Sequence, residues 1–405
     1  MSAFGRVLAA EGISNFGSML SRLAIPWIAT LVLDATPLAM SALVVADVAA
    51  AALASLVLGG LVDRRDKRAT MLACDLLRAA VLALLALLAW TGGLTLPALI
   101  AAAAASAVLT IGFELARSAW IAQHFEADQL PRRNAQLSIT GSLSETAAFA
   151  LGGWLYQWSG AVIALAVDAL SYVGSALCLR GVLGAPAVAA PAVEAPAPHG
   201  VPLRCSIDDA KAGLGAVLAH PTLRALAAIE VLLALAGSIA ATSYMIFVAR
   251  DIGFATGSLG TIFAAGGLGS IAGAAIGPWL GRRLRPGRAM AIGLSLAALG
   301  AAFIPMATSA GLVGIALLVA HQIVGDGGRT VHDVHDRTLR QTSAPPALLA
   351  RVDAGIRSAG QLATLVGAIG GGALASALGT RTALWMSAAL IAAAACTAMI
   401  ALARR

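Results

Sequence analysis

The chain has 405 residues, of which 59% are hydrophobic and only 12% charged, with a formal net charge of +7 and a mean hydropathy of +0.87. A soluble domain needs about 25% charged residues to cover its surface, so this composition excludes one and points to helices in lipid. The basic residues cluster in short loops rather than along one face, so no nucleic-acid partner is expected.

Apolar runs predict spans near 12–33, 41–62, 70–90, 96–116, 136–157 and 160–181, then near 222–248, 256–280, 289–308, 310–330, 352–378 and 382–402. Each run is close to the roughly 20 residues that cross a bilayer. The expected fold is therefore an all-α membrane protein with twelve transmembrane helices in two pseudo-symmetric six-helix bundles. The first apolar run is too long for a cleavable leader and is interrupted by Arg22, so no signal peptide is expected.

Between the second and third runs, Asp63-Arg64-Arg65-Asp66-Lys67-Arg68 packs six charges into six residues. So short a charged turn between apolar segments must reach water, and its basic residues fix it on the cytoplasmic side. With that orientation both termini are cytoplasmic. The inside connections and ends then hold nineteen basic residues, among them Arg64, Arg65, Lys67, Arg68, Arg282, Arg283, Arg285 and Arg288; the outside connections hold two, Arg250 and Arg381. The asymmetry supports a multi-pass protein of a bacterial inner membrane.

The two halves repeat each other at a nearly constant offset. Asp34 and Ser41 match Asp251 and Ser258, Gly59 and Arg64 match Gly277 and Arg282, and Gly141 and Gly152 match Gly360 and Gly371. Parallel repeats of this kind build two bundles related by an axis along the membrane normal. The expected divisions are 1–183 for the first bundle, 184–220 for a cytoplasmic Ala/Pro-rich linker with a surface helix over 206–219, and 221–405 for the second bundle. Repeated Pro and Ala without hydrophobic periodicity mark the linker as an extended tether. Cys74, Cys178, Cys205 and Cys396 have no metal-ligand spacing and are expected as free thiols.

Charges inside spans mark function, because each costs about 2.5–3.5 kcal/mol on insertion scales unless paired or wetted. Arg22 in span 1 and Glu145 in span 5 are expected to pair, either structurally or as a protonatable unit. Glu230 in span 7 has no evident partner and is the first expectation for a proton-coupling site. Asp47 lies nearer the outer surface, where solvation alone would satisfy it, and Asp168 is expected to make a structural hydrogen bond. His321, Asp326 and Arg329 in span 10 face the cavity or the gate, although an intramembrane histidine is more often a packing residue. No phosphate loop ending in Gly-Lys-Ser/Thr and no Ser/His/Asp or His/Cys cluster occurs in a plausible loop. Neither an enzyme nor a cofactor is expected.

The order Gly59-x-x-x-Asp63-Arg64-x-x-Lys67-Arg68 resembles the signature loop between helices 2 and 3 of the major facilitator superfamily of secondary transporters. Asp66 replaces the family's usual glycine. Ile25-Pro26-Trp27, Phe113-Glu114-Leu115-Ala116-Arg117 before Leu130, and Val167 to Tyr172 resemble its enterobactin-exporter-like and macrolide-efflux-like branch. The resemblance implies that Asp63 latches onto the start of span 11 and that Arg117 neutralises Asp63 or pairs with Glu114. Arg65 and Asp66 are left a purely topogenic reading. The second half has Gly281 where Asp63 would be. The antiporter signature is half present: Gly152-Gly153 stand in place, but Ala148-Phe149 occupy its Gly-Pro positions.

The function so implied is export of a small amphipathic molecule, drug- or siderophore-like, by proton antiport and alternating access in a monomer. Uptake or lipid flipping by the same fold, and a non-transporting membrane sensor, are the other readings. The expected partners are a small-molecule substrate, protons and the lipid bilayer.

Overall fold

The computed structural model describes residues 2–126, 128–181, 215–345 and 348–403. Its helices are α1 (Ala3–Trp27), α2 (Pro37–Asp63), α3 (Lys67–Trp90), α4 (Leu96–His124), α5 (Leu130–Arg180), α6 (Pro221–Met245), α7 (Thr256–Arg283), α8 (Pro286–Met306), α9 (Leu312–Ala320), α10 (Asp326–Ser343), α11 (Leu349–Leu378) and α12 (Thr380–Leu402). Three π turns interrupt them, at Ile28–Val32, Ile246–Asp251 and His321–Gly325. Nine helices among the described residues are long and apolar enough to cross a membrane. The twelve crossings are completed by α1, by the second arm of α5, and by the continuous rod of α9, π turn and α10.

Spans 5 and 6 are two helices within Leu130–Arg180 that meet at Gly160 without an intervening loop. Gly160 makes the break with φ 74°, a left-handed conformation that an L side chain resists. The arms then run in opposite directions along α1: Gly12 and Leu20 meet Thr140 and Gly152, whereas Ile13 and Ser21 meet Gly174 and Asp168. Span 10 is longer than its apolar run. Its rod continues to Ser343, about 48 Å from Leu312 at 1.5 Å per residue.

The repeat is written in the backbone as well as in the side chains. Gly160 and its counterpart Gly379 both take positive φ, as do Asp34 and Gly253. The π turns after α1 and after α6 begin at matching places in the two halves, Ile28 and Ile246. Pro26 removes an N–H just before the first of them and so loosens the preceding turn.

Contacts divide the chain into two units, Met1–Leu33 with Ala46–Val201 and Thr256–Gly260, and Asp34–Val45 with Pro202–Ala255 and Thr261–Arg405. These differ from the sequence divisions by the first turns of α2 and α7. Both exchanges have a cause in glycine packing. Gly153 leaves no room for a side chain against the Gly260 backbone, and Gly372 leaves little against Pro37 and Ser41. Most of the 184–220 linker, including Cys205, lies outside the described residues; 215–219 are helical. Cys74, Cys178 and Cys396 are free.

The first unit buries Val7, Ala10, Met71, Phe113, Ala116 and Leu179 together, and the second buries Leu226, Ile229, Met290, Leu294, Ile356 and Leu402. Large side chains such as Leu56, Leu84, Leu143, Ile271 and Leu362 stand exposed, which suits a surface solvated by lipid rather than water.

Candidate functional site

In the loop between α2 and α3 the charges have structural work. Asp66 is the N-cap of α3, its Oδ1 accepting from Ala69 N at 2.6 Å. Such a cap satisfies one of the helix's free N–H groups. This corrects the topogenic reading of Asp66. Lys67 donates from Nζ to the carbonyls of Val62 and Arg65 at 2.8 and 3.1 Å, closing the end of α2. Arg68 donates to Leu179 O and Arg180 O, which closes α5. In the second half Arg288 does the same for α12 through Ala403 O at 3.1 Å. Arg64 is exposed, and a side chain at Gly59 would meet nothing within 4 Å. The Asp63 side chain lies outside the described residues, so its latch does too. Gly281 is explained: a Cβ there would meet the His335 ring, whose Nε2 lies 3.1 Å from Gly277 O.

Arg117 does not pair with Glu114, which is exposed; its Nη1 donates to Glu11 of α1. Asn15, one turn on from Glu11, donates to the same carboxylate at 3.4 Å.

Deeper in the first unit lies a polar network that the sequence reading missed. Asp75 and Arg78, three apart on α3, form an ion pair at 2.5 Å with side chains 0% and 2% exposed. Ser175 donates to Asp75 at 2.6 Å, and the Arg78 guanidinium lies 4.4 and 4.9 Å from the ring centres of Tyr172 and Phe113. Ser14 and Ser175 offset part of the cost of drying this ion pair, while Arg78 Nε has no hydrogen-bond partner among the described residues. Asp168 accepts from Ser21 and Ser171, and glycine at 17 leaves the space they fill. The i, i+3 charges inside span 3 were the available signal.

Arg22, Asp47 and Glu145 are exposed in the first unit. Among the described residues no ion pair joins Arg22 to Glu145, which corrects that expectation; Arg22 Nη1 lies 3.9 Å from Met19 Sδ of its own helix. The reason is register as well as phase: with Gly12 against Thr140 and Leu20 against Gly152, Arg22 lies roughly two turns along α5 from Glu145. The α1–α5 contact uses Gly12, Leu20 and Leu23 on one side and Gly141, Ser144 and Gly152 on the other. Glu145 is turned about 100° from Ser144 and leaves that interface.

In the second unit Glu230 has a partner after all. Arg340 Nη2 lies 3.3 Å from its Oε2, because α10 runs on past the predicted span and carries Arg340 beside α6. Arg340 also meets Asp336 at 2.8 Å and Asp353 of α11 at 3.8 Å. His321 opens the π turn and its Nδ1 lies 3.0 Å from Gly300 O, a packing arrangement. Asp326 begins α10 where Gly266 of α7 leaves room for its carboxylate. Arg329 forms an exposed i, i+4 pair with Asp333 at 3.3 Å.

Long apolar helices in two repeated halves, joined by charged loops, suit a membrane-embedded carrier. The family model of the Major Facilitator Superfamily matches residues 7–328. The chain belongs to the major facilitator superfamily. Among solved structures it is similar to the nucleoside transporter NupG, with 15% identity, 99% of each chain covered and a TM-score of 0.75. A bacterial homologue of the iron transporter ferroportin, in an inward-facing state, has 15% identity, 98% of each chain covered and a TM-score of 0.75. A bacterial homologue of the human lysosomal transporter Spinster has 14% identity over 98% of this chain and 97% of its own, with a TM-score of 0.72. At these identities the likeness shows the fold. No curated protein matches the sequence. This major facilitator protein is thus a multi-pass membrane transporter rather than an enzyme.

Proposed function

We propose that this transporter is an exporter of the enterobactin-exporter-like and macrolide-efflux-like branch, moving a small amphipathic molecule out across the bacterial inner membrane in exchange for protons. It works as a monomer with both termini in the cytoplasm. The observation that carries this reading is the set of charges left uncovered in the first unit, Arg22, Asp47 and Glu145. Arg22 and Glu145 lie near mid-depth, where facing lipid is too unfavourable, so they face a solute path filled with water, with Asp47 nearer its outer end.

With Glu230 held by Arg340, the proton-coupling role passes to Glu145, which forms no ion pair among the described residues. Asp47 is the second carboxylate on that path. His321, Asp326 and Arg329 shape the second unit around its π turn. Asp63, with Arg64, Lys67 and Arg68, gates the cytoplasmic side.

The test is a panel of amphipathic solutes in proteoliposomes, with and without an imposed pH gradient. Export should follow the gradient, and Glu145→Gln should abolish gradient-driven export while leaving solute exchange intact. Gradient-driven export by Glu145→Gln at the wild-type rate would remove the residue from the coupling step. Net movement in the opposite direction would make the protein an uptake carrier, and binding without flux would make it a sensor.

A further inference from the structure

Glu11 and Glu230 are related by the same offset that relates Gly160 to Gly379. Each joins the first helix of its half to an arginine near the end of the fourth span, Arg117 of α4 and Arg340 of α10. A glycine of the half's fifth span, at the same offset, packs over Glu230 itself in the second half and over Asn15, the donor to Glu11, in the first. A Cβ at Gly141 would lie 3.2 Å from Asn15 Nδ2, the donor to Glu11, and a Cβ at Gly360 would lie 3.0 Å from Glu230 Oε1. Three related helices meeting at one register in both halves mark a single ancestral contact.

The two copies differ in a way that decides their behaviour. Glu11 is only 6% exposed and its guanidinium has no second carboxylate among the described ion pairs. Opening that pair would strand the Glu11 carboxylate in a dry place. Glu230 is 29% exposed, and Arg340 is shared by carboxylates from three helices. At the position equivalent to Arg117 the second half has Asp336. The arginine has moved one turn on, and Asp336 is its nearest partner. Letting go of Glu230 therefore leaves Arg340 neutralised and its grip on Asp353 in place.

We propose that the ancestral contact has become a fixed pin in the first half and a three-way clamp in the second, with Arg340 the positioning residue that holds α6 and the start of α11 separately. The inference rests on the transporter reading for its purpose, but not on the identity of the solute or the coupling ion.

Hydrogen–deuterium exchange on the full chain in lipid nanodiscs, with no solute added, tests it. In wild type the backbone around Glu230 should exchange at least about tenfold faster than that around Glu11. Glu230→Gln should raise exchange in 226–234 alone, Asp353→Asn in 349–356 alone, and Arg340→Gln in both, with the yield of folded protein kept. Glu11→Gln and Arg117→Gln should instead lower that yield. Lysine should rescue at 117, where one carboxylate needs one charge, and fail at 340, where a point charge cannot span three carboxylates. Equal protection around Glu11 and Glu230 would overturn the proposal. So would Arg340→Lys behaving as wild type, or Glu230→Gln and Asp353→Asn loosening the same segments. If Arg340→Gln does not fold, the Glu230 and Asp353 variants decide. Failure of the flux assay leaves this measurement standing, so the two readings fall separately.

Discussion

The first half of the molecule buries its charge and the second shares it out. In α3, Asp75 and Arg78 are dry and wrapped by Ser14, Ser175 and two aromatic rings. The positions that match Asp75 and Arg78 in the second half are Leu294 and Ala297, both buried, and the neighbouring Gly293 lies at close range against the backbone of Gly328 and His332. One half thus holds its third span by a polar network and the other by apolar side chains and close glycine contact, although both keep a π turn after the first span and a positive-φ break at Gly160 and Gly379. A repeat can preserve its backbone register while exchanging the chemistry that secures it.

The largest effect should come from breaking the dry network. Arg78→Met leaves Asp75 buried and uncompensated, a loss of about 3–5 kcal/mol. Replacing both residues with apolar ones of similar volume, as in Arg78→Met with Asp75→Leu, should recover most of that loss, since no orphaned charge remains. Thermal unfolding in detergent is the measurement. A double variant no more stable than Arg78→Met would show that the network does more than balance its own charge.

A smaller effect should follow from making the loops alike. Gly281→Asp restores the acidic residue that the first half has at Asp63, but its Cβ would lie 2.6 Å from His335 Cε1. The ring must move and give up its contact with Gly277 O, so a loss of about 1–3 kcal/mol is expected, the range for overpacking. Adding His335→Ala should remove the clash and make Gly281→Asp nearly neutral in that background. If the aspartate is as unfavourable with alanine at 335, the ring is not the reason for the glycine.

Span number and the repeat of the two halves were legible in the sequence, because each rests on length, composition or identity at a fixed offset. The partners of the intramembrane charges were not. Apolarity ends span 10 near residue 330, yet α10 continues through polar residues to Ser343 and carries Arg340 beside Glu230, for which the apolar pattern shows no partner. Pairing Arg22 with Glu145 used the right helices but ignored register and phase: Ser144, not Glu145, faces α1. Glu11 drew no notice because it lay just outside the first apolar run, and yet it is the partner of Arg117.

The finest contrast lies at two helix starts. Asp66 and Arg285 occupy equivalent positions in the two halves, each the N-cap of the helix after the charged loop. Asp66 accepts from Ala69 N, whereas Arg285 makes no side-chain cap hydrogen bond. The N-terminus of a helix also carries partial positive charge, which favours an aspartate there and disfavours an arginine. Asp66→Ala should therefore lower stability by about 1 kcal/mol. Arg285→Asp should raise it by up to about 1 kcal/mol, because Pro286 already sets the backbone of the first turn and the new carboxylate would meet waiting N–H groups. Arg285 has other contacts to lose, so the gain should be smaller than the Asp66 loss. Arg285→Asn separates the two terms, since it caps without charge. An Asn variant as stable as the Asp variant would assign the gain to the hydrogen bond, and a gain confined to Asp would assign it to the helix dipole. No gain from either would mean that the contacts Arg285 already makes outweigh a cap, and the second half would then have replaced the first half's device rather than lost it.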